Sequence, residues 1–124
     1  MKTILVVEDD ENVREMVQAV LEDEGYRVMT AANGRQGLAS VALVHIDLIV
    51  CDIMMPTLDG RKMCHIIRAN PRYEAMPILL MSAANEQVRR QFPYASFLSK
   101  PFTVTDLLDT VLHLLNQEHV PAGV

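Results

Sequence analysis

A few residues in this chain pair useful chemistry with a suggestive position. Each stands at or just after an apolar run. Glu8, Asp9 and Asp10 follow Ile4–Val7, Asp52 follows Leu48–Cys51, Ser82 follows Ile78–Met81, and Lys100 comes two residues after Phe97-Leu98. Carboxylates gathered at one point need a counter-charge. Two of them about 4 Å apart repel by roughly 4 kcal/mol at an effective dielectric of about 20, and without relief one takes up a proton. An oxygen-only cluster with no His or Cys suits a hard divalent ion, Mg2+ before Zn2+. Mg2+ keeps waters and uses one or two carboxylates, which leaves room for a phosphoryl oxygen. The Lys100 ammonium and the Ser82 hydroxyl suit the other oxygens of such a group, through charge neutralisation and positioning rather than proton transfer. Taken singly, each piece has a plainer reading. Asp10 reads as a helix cap, and a lone Lys-Pro or Met-Ser signifies nothing.

The elements that would bring these residues together are legible as well. Ile4–Val7, Leu48–Cys51 and Ile78–Met81 are apolar at every position, as strands covered on both faces are. Val28–Ala31 and Phe97-Leu98 complete the set. Between them run stretches of helical period. Val13, Val17, Val20 and Leu21 form a stripe opened by Asp10-Glu11 and closed by Gly25. Gly37, Leu38, Val41 and Ala42 mark a second helix, and Asp59 caps a third with Met63, Ile66 and Ile67 inward. A short fourth helix is expected from about Asn85 to Gln91, before Pro93. Thr103 to Asp106 resembles a capping box for a last helix whose stripe is Leu107, Leu108, Val111, Leu112 and Leu115. Strand then helix, five times over, is a doubly wound α/β domain. In such a sheet, ligands bind beyond the carboxyl ends of the strands. The chemistry-bearing residues share that edge.

Composition bounds the rest. The 124 residues suit one domain, half of them are apolar, and no window reaches a membrane span. The N-terminus lacks the pattern of a signal peptide, so a soluble cytoplasmic protein is expected. Sixteen acidic against eleven basic residues give a formal charge of −5, without the basic stripe of a nucleic-acid binder. Direct nucleic-acid binding is not expected. Cys51 and Cys64, thirteen positions apart with no CxxC pattern, read as reduced, buried thiols. The four histidines are scattered and read as surface or boundary residues.

Four segments carry a family likeness: Ile4-Leu-Val-Val-Glu-Asp-Asp10, Asp47-Leu-Ile-Val-Cys-Asp-Ile-Met-Met-Pro-Thr-Leu-Asp-Gly60, Ile78-Leu-Leu-Met-Ser-Ala83 and Phe97-Leu-Ser-Lys-Pro-Phe102. In this order they make the chain resemble a response-regulator receiver domain of two-component signalling, over nearly its whole length. The resemblance implies a flavodoxin-like five-stranded parallel sheet of order 2-1-3-4-5. It makes Asp52 the phosphoacceptor and gives Mg2+ to Glu8, Asp9, Asp52 and the backbone carbonyl of Met54. Ser82 takes the hydroxyl position, the Ala83 amide faces the phosphate, Lys100 is the lysine of the Lys-Pro motif, and Phe97 is the aromatic switch. A sensor histidine kinase or phosphotransfer protein is the implied donor. An output partner or domain is implied too, with a phosphorylation-dependent dimer among the forms the family allows.

One segment departs from the pattern. Only eighteen positions separate Ser82 from Lys100, the fourth helix is shortened, and Phe92-Pro-Tyr-Ala-Ser96 replaces the usual approach to the last strand. The domain is expected over residues 1–118, with 119–124 a flexible tail or the start of a linker. In the family that the chain resembles, two positions border the path of an attacking water; here they are Met54 and Ala84, neither of which can hold one, so the resemblance implies slow self-dephosphorylation. A pseudo-receiver acting only as an interaction module is the competing reading, and the retained Asp9, Asp52, Ser82 and Lys100 speak against it. An aspartyl phosphatase would need a D-x-D nucleophile after the first strand. A flavin site would need a Ser/Thr/Gly-rich loop after Val7.

Overall fold

A computed structural model of the chain describes residues 1–52, 59–83 and 86–117. Five strands, β1 (Thr3–Val7), β2 (Arg27–Ala31), β3 (Leu48–Asp52), β4 (Ile78–Ala83) and β5 (Ser96–Lys100), pair in parallel as β2-β1-β3-β4-β5. Helices α1 (Glu11–Asp23), α2 (Gly34–Leu43), α3 (Asp59–Ala69), α4 (Glu86–Gln91) and α5 (Val104–Asn116) connect or follow them, and a 3-10 turn at Pro71–Tyr73 precedes β4. The expected order and class are both present, the short α4 included.

Alternate strand residues face opposite layers. Leu5, Val7, Ile49, Cys51, Ile78 and Leu80 meet Val41 of α2, Met63, Cys64 and Ile67 of α3, and Val88 of α4. Ile4, Val6, Leu48, Val50, Leu79 and Met81 meet Val17 and Leu21 of α1 and Leu107, Val111 and Leu114 of α5. Helices on both faces explain why the central strands read as unbroken apolar runs.

Local signals act as the residue types dictate. The Asp10 carboxylate accepts from the Asn12 and Val13 amides at the start of α1, and Gly25 beyond its end has φ of 96°. Thr103 and Asp106 form a reciprocal capping box on α5. At Gly37 an added Cβ would come within 2.5 Å of Met63 Sδ, so a side chain there would force Met63 of α3 to shift.

Three helix stripes turn out differently from expectation. On α3, Cys64 is buried where Ile66 was expected, and Ile66 is 45% exposed. On α5, Leu114 is buried while Leu112 is 51% exposed. On α2, Ala42 is exposed. With about 100° per residue, Ile66 and Leu112 fall more than about 100° from the face their neighbours bury. Asp59, expected as a cap, is instead the first residue of α3. Asn85 and the tail at residues 118–124 lie outside the described residues.

Candidate functional site

The order β2-β1-β3 means the chain runs outward from β1 to β2 and then returns across β1 to β3. A crevice opens at that reversal, beyond the carboxyl ends of β1 and β3. Glu8 comes directly after β1, and Asp52 ends β3. Both are buried, at 2% and 5% exposure. Asp52 is paired in register with Met81 of β4, one residue before Ser82. Across from Ser82 and Ala83 in β5 stand Ser99 and Lys100. Parallel register thus brings the ends of four strands to one place.

A buried carboxylate needs a partner. Lys100 supplies it, its Nζ donating to Asp52 Oδ2 at 2.9 Å. Glu8 is held differently. Its amide donates to the Ala31 carbonyl at 3.0 Å, its carbonyl accepts from Arg14 Nη1 at 2.9 Å, and its Oε1 accepts from the Asp10 amide at 3.2 Å. Its Oε2 is buried without a hydrogen-bond partner among the described residues. Burial, then contact with the Asp52 carboxylate and its negative charge, push the Glu8 carboxyl from 4.5 up to about 8, against the Asp10 amide and Lys100. Glu8 therefore keeps its proton at neutral pH, while Lys100 meets the charge of Asp52.

That orphaned oxygen and the two crowded carboxylates fit a hard divalent cation taking one or two carboxylates. Glu8 and Asp52 come together as expected. Asp9 is exposed, and no group of three candidate ligands gathers among the described residues. Met54 lies outside the described residues, as does Ala84. Ser82 is 3% exposed, and Ala83 ends β4 opposite Lys100. Phe97 is half-buried with the Arg89 guanidinium 5.1 Å from its ring centroid.

Two features escaped the reading of the sequence. Arg14 grips the Glu8 carbonyl from the first turns of α1, four residues after the cap; that spacing was the available signal. Beside α4, the His65 ring stacks on Phe92 with centroids 4.9 Å apart, and Tyr94 Oη lies 2.9 Å from His65 Nδ1. A cavity of about 410 Å³ lined by Leu43, His45, Tyr73 and Met76 opens at the opposite, amino-terminal edge of the sheet.

The sequence and the fold have relatives. The model of the response regulator receiver domain matches residues 4–112, and the chain belongs to that family. Protein PilG of Pseudomonas aeruginosa is 30% identical over 96% of this chain and 87% of its own length. RpaA of Synechocystis, described as a DNA-binding dual master transcriptional regulator, is 32% identical over 94% of this chain and 50% of its own. The chain spans about half the length of most such curated relatives. Among solved structures, chemotaxis protein CheY4 of Vibrio cholerae has a TM-score of 0.85 at 31% identity, covering 92% of this chain and 98% of that one. TrrA of Thermotoga maritima, solved in complex with Mg2+ and BeF, has a TM-score of 0.80 at 32% identity, covering 92% and 99%.

A receiver domain is a signalling switch rather than a classical enzyme. With a DNA-binding regulator among the relatives, the reading from charge that nucleic acid is no partner is not supported. Among the described residues, no helix is long and apolar enough to cross a membrane.

Proposed function

We propose that the chain is a phosphoacceptor switch in which Asp52 takes a phosphoryl group from a sensor histidine kinase or phosphotransfer protein. The observation that carries this reading is the Asp52–Lys100 pair at 2.9 Å, set beside the buried Glu8, whose Oε2 has no hydrogen-bond partner among the described residues. A nucleophile held by an ammonium and crowded by a second carboxylate is poised to exchange that crowding for bonds to a phosphoryl group and a cation.

An Asp52 oxygen attacks phosphorus while the bond to the donor's leaving atom breaks. Lys100 stays with the incoming charge, and the Ser82 hydroxyl and the Ala83 amide take phosphoryl oxygens. Glu8, Asp9, Asp52 and the Met54 carbonyl would hold Mg2+, which when bound neutralises the acidic pocket and binds a phosphoryl oxygen. No side chain needs to transfer a proton, so the step is positioning and charge balance. The added charge and acceptor oxygens draw Ser82 inward, and Phe97 fills the space it leaves. That shift reaches an output partner or domain, and a phosphorylation-dependent dimer is one form the response takes. The working unit is residues 1–118, acting in the cytoplasm.

Intact mass spectrometry after incubation with acetyl phosphate and Mg2+ tests this. The expected result is one added phosphoryl group, absent in Asp52→Asn. No addition, or addition that persists in Asp52→Asn, would overturn it.

A further inference from the structure

The charge of the molecule is divided between its two helix layers. Along α2, α3 and α4, on one face of the sheet, six basic residues stand against two acidic ones, whereas α1 and α5 on the other carry one against six. A chain with a formal charge of −5 thus has one cationic side. Within that layer α4 has only six residues, so α2 and α3, with ten and eleven, provide its long paired surface. Gly37 of α2 lies against Met63 of α3, and beside that seam runs a groove of about 540 Å³ lined by Asn33, Arg35, Leu38, Lys62, Met63 and Ile66.

Each helix brings a cation and an apolar residue one turn apart to this groove, Arg35 with Leu38 on α2 and Lys62 with Ile66 on α3. Ile66 is 45% exposed and Leu38 is half-buried, so the apolar part of the groove is open to solvent. Arg35 and Lys62 are exposed, and neither has an ion-pair partner among the described residues. The neighbouring Arg61, by contrast, donates to Gln91 of α4 at 3.0 Å. A polyanion such as nucleic acid would use the cations and leave the apolar side chains wet. A segment that carries both carboxylates and apolar side chains uses both.

We propose that the α2–α3 groove is a docking surface for an acidic amphipathic helix of a partner protein. The partner's apolar side chains cover Leu38, Met63 and Ile66, and its carboxylates pair with Arg35 and Lys62. Both cations stand in the first turn of their helices, with the apolar residues one turn further on. The partner's carboxylates therefore lie toward the carboxyl edge of the sheet and its apolar anchors toward the amino-terminal edge. Burial of the apolar anchors drives affinity, while the solvated ion pairs at the rim contribute orientation and speed of encounter. None of this rests on the role of Asp52.

The test is fluorescence anisotropy of the full chain with a labelled helical peptide that has leucine along one face and glutamate beside it. The peptide should bind, and Arg35→Glu and Lys62→Glu should each weaken it by about fivefold or more, because attraction becomes repulsion. Ile66→Ser should weaken it by about threefold or more through lost burial. Arg90→Glu makes the same change of charge on exposed α4, outside the groove, and should alter binding by less than about twofold. All four sites are exposed, so each variant should keep the wild-type Tm. No binding, or an equal loss in Arg90→Glu, would overturn the groove as the site. Equal binding of a peptide with serine in place of leucine, or of a duplex oligonucleotide, would also overturn it, by showing a general anion patch. Self-association of the wild type that Lys62→Glu abolishes, read by sedimentation, would give the groove to a second copy and overturn the proposed partner.

Discussion

β3 and β5 are equally long, and each delivers one half of the Asp52–Lys100 pair, but they are differently held. β3 lies between β1 and β4 and is buried at every position. Among the described residues β5 has only β4 beside it, and each of its residues is half-exposed. Moving Asp52 would disturb two ladders and packing on both faces, whereas moving Lys100 strains one ladder beside a short helix. A switch needs such unequal sides. The acceptor must stay where the donor finds it, and the responding group must be free to shift at low cost.

The largest effect tests that inequality directly. Ile49→Ala in β3 should cost about 3–4 kcal/mol, because a fully buried side chain leaves a cavity the sheet cannot close. Leu98→Ala in β5 should cost about 1–2 kcal/mol, since its site is half solvated already. Urea unfolding of both variants compares them. Equal losses would break the contrast between the strands.

Glu8 offers a second, pH-dependent measure of how tightly the fixed side is built. Its carboxyl titrates near 4.5 when unfolded and is pushed up to about 8 in the fold. Below the lower value both states hold the proton, and nothing is lost. Between the two, the unfolded chain releases the proton and the folded chain keeps it, so stability falls as pH rises. Glu8→Gln should therefore match wild type near about pH 4.5 and be more stable by up to about 4 kcal/mol at about pH 8. Mg2+ should recover most of that loss in wild type and raise its Tm, an increase that Asp9→Ala should abolish. A constant difference between Glu8→Gln and wild type across this range would show that burial and Asp52 do not push the Glu8 carboxyl up.

The same contrast decides which elements are legible in the sequence. A strand buried on both faces is written as a solid apolar run, so the ends of β1, β3 and β4 were plain, and so were Glu8, Asp52 and Ser82 directly after those runs. β5 showed only Phe97-Leu98, because an edge strand tolerates Ser96, Ser99 and Lys100. The exchange of Ile66 for Cys64 and of Leu112 for Leu114 reflects a stripe rotated by a residue or two, which leaves the apolar count almost unchanged. The stacking of His65 on Phe92 and the Arg89–Phe97 contact join residues by packing and follow no period. The upward push on Glu8 depends on burial beside Asp52, which spacing alone does not specify.

On the adjustable side, Lys100→Met should cost about 1–2 kcal/mol at neutral pH. It leaves a buried Asp52 carboxylate without its ammonium, but Lys100 is 36% exposed, and solvent already weakens the pair. In an Asp52→Asn background the same change should cost almost nothing, because no charge is left to orphan. Lys100 also holds the Glu8 carboxyl down, so its loss should push that carboxyl further up and steepen the decline in stability with pH. A double-mutant cycle measured by urea unfolding decides this. Equal costs in both backgrounds would mean that Lys100 acts through packing and not through Asp52.

The smallest effect concerns Phe97, whose ring carries the Arg89 guanidinium 5.1 Å from its centroid at the flank of α4. A solvent-exposed contact of this kind contributes about 0.5–1 kcal/mol. It favours the ring pose seen here over the inward pose expected when Asp52 carries phosphate. Removing it in Arg89→Gln should shift the unphosphorylated population inward by about twofold to fivefold, which follows from that energy. Fluorine NMR on a fluorinated Phe97 reads the shift as a change in averaged resonance position. Ser82→Ala supplies the opposing arm. It should accept phosphoryl at Asp52 and lose most of the phosphate-driven movement of that resonance, because no hydroxyl is drawn out of the ring's path. An Arg89→Gln spectrum identical to wild type would show that the edge strand alone, without its helix, holds the ring in place.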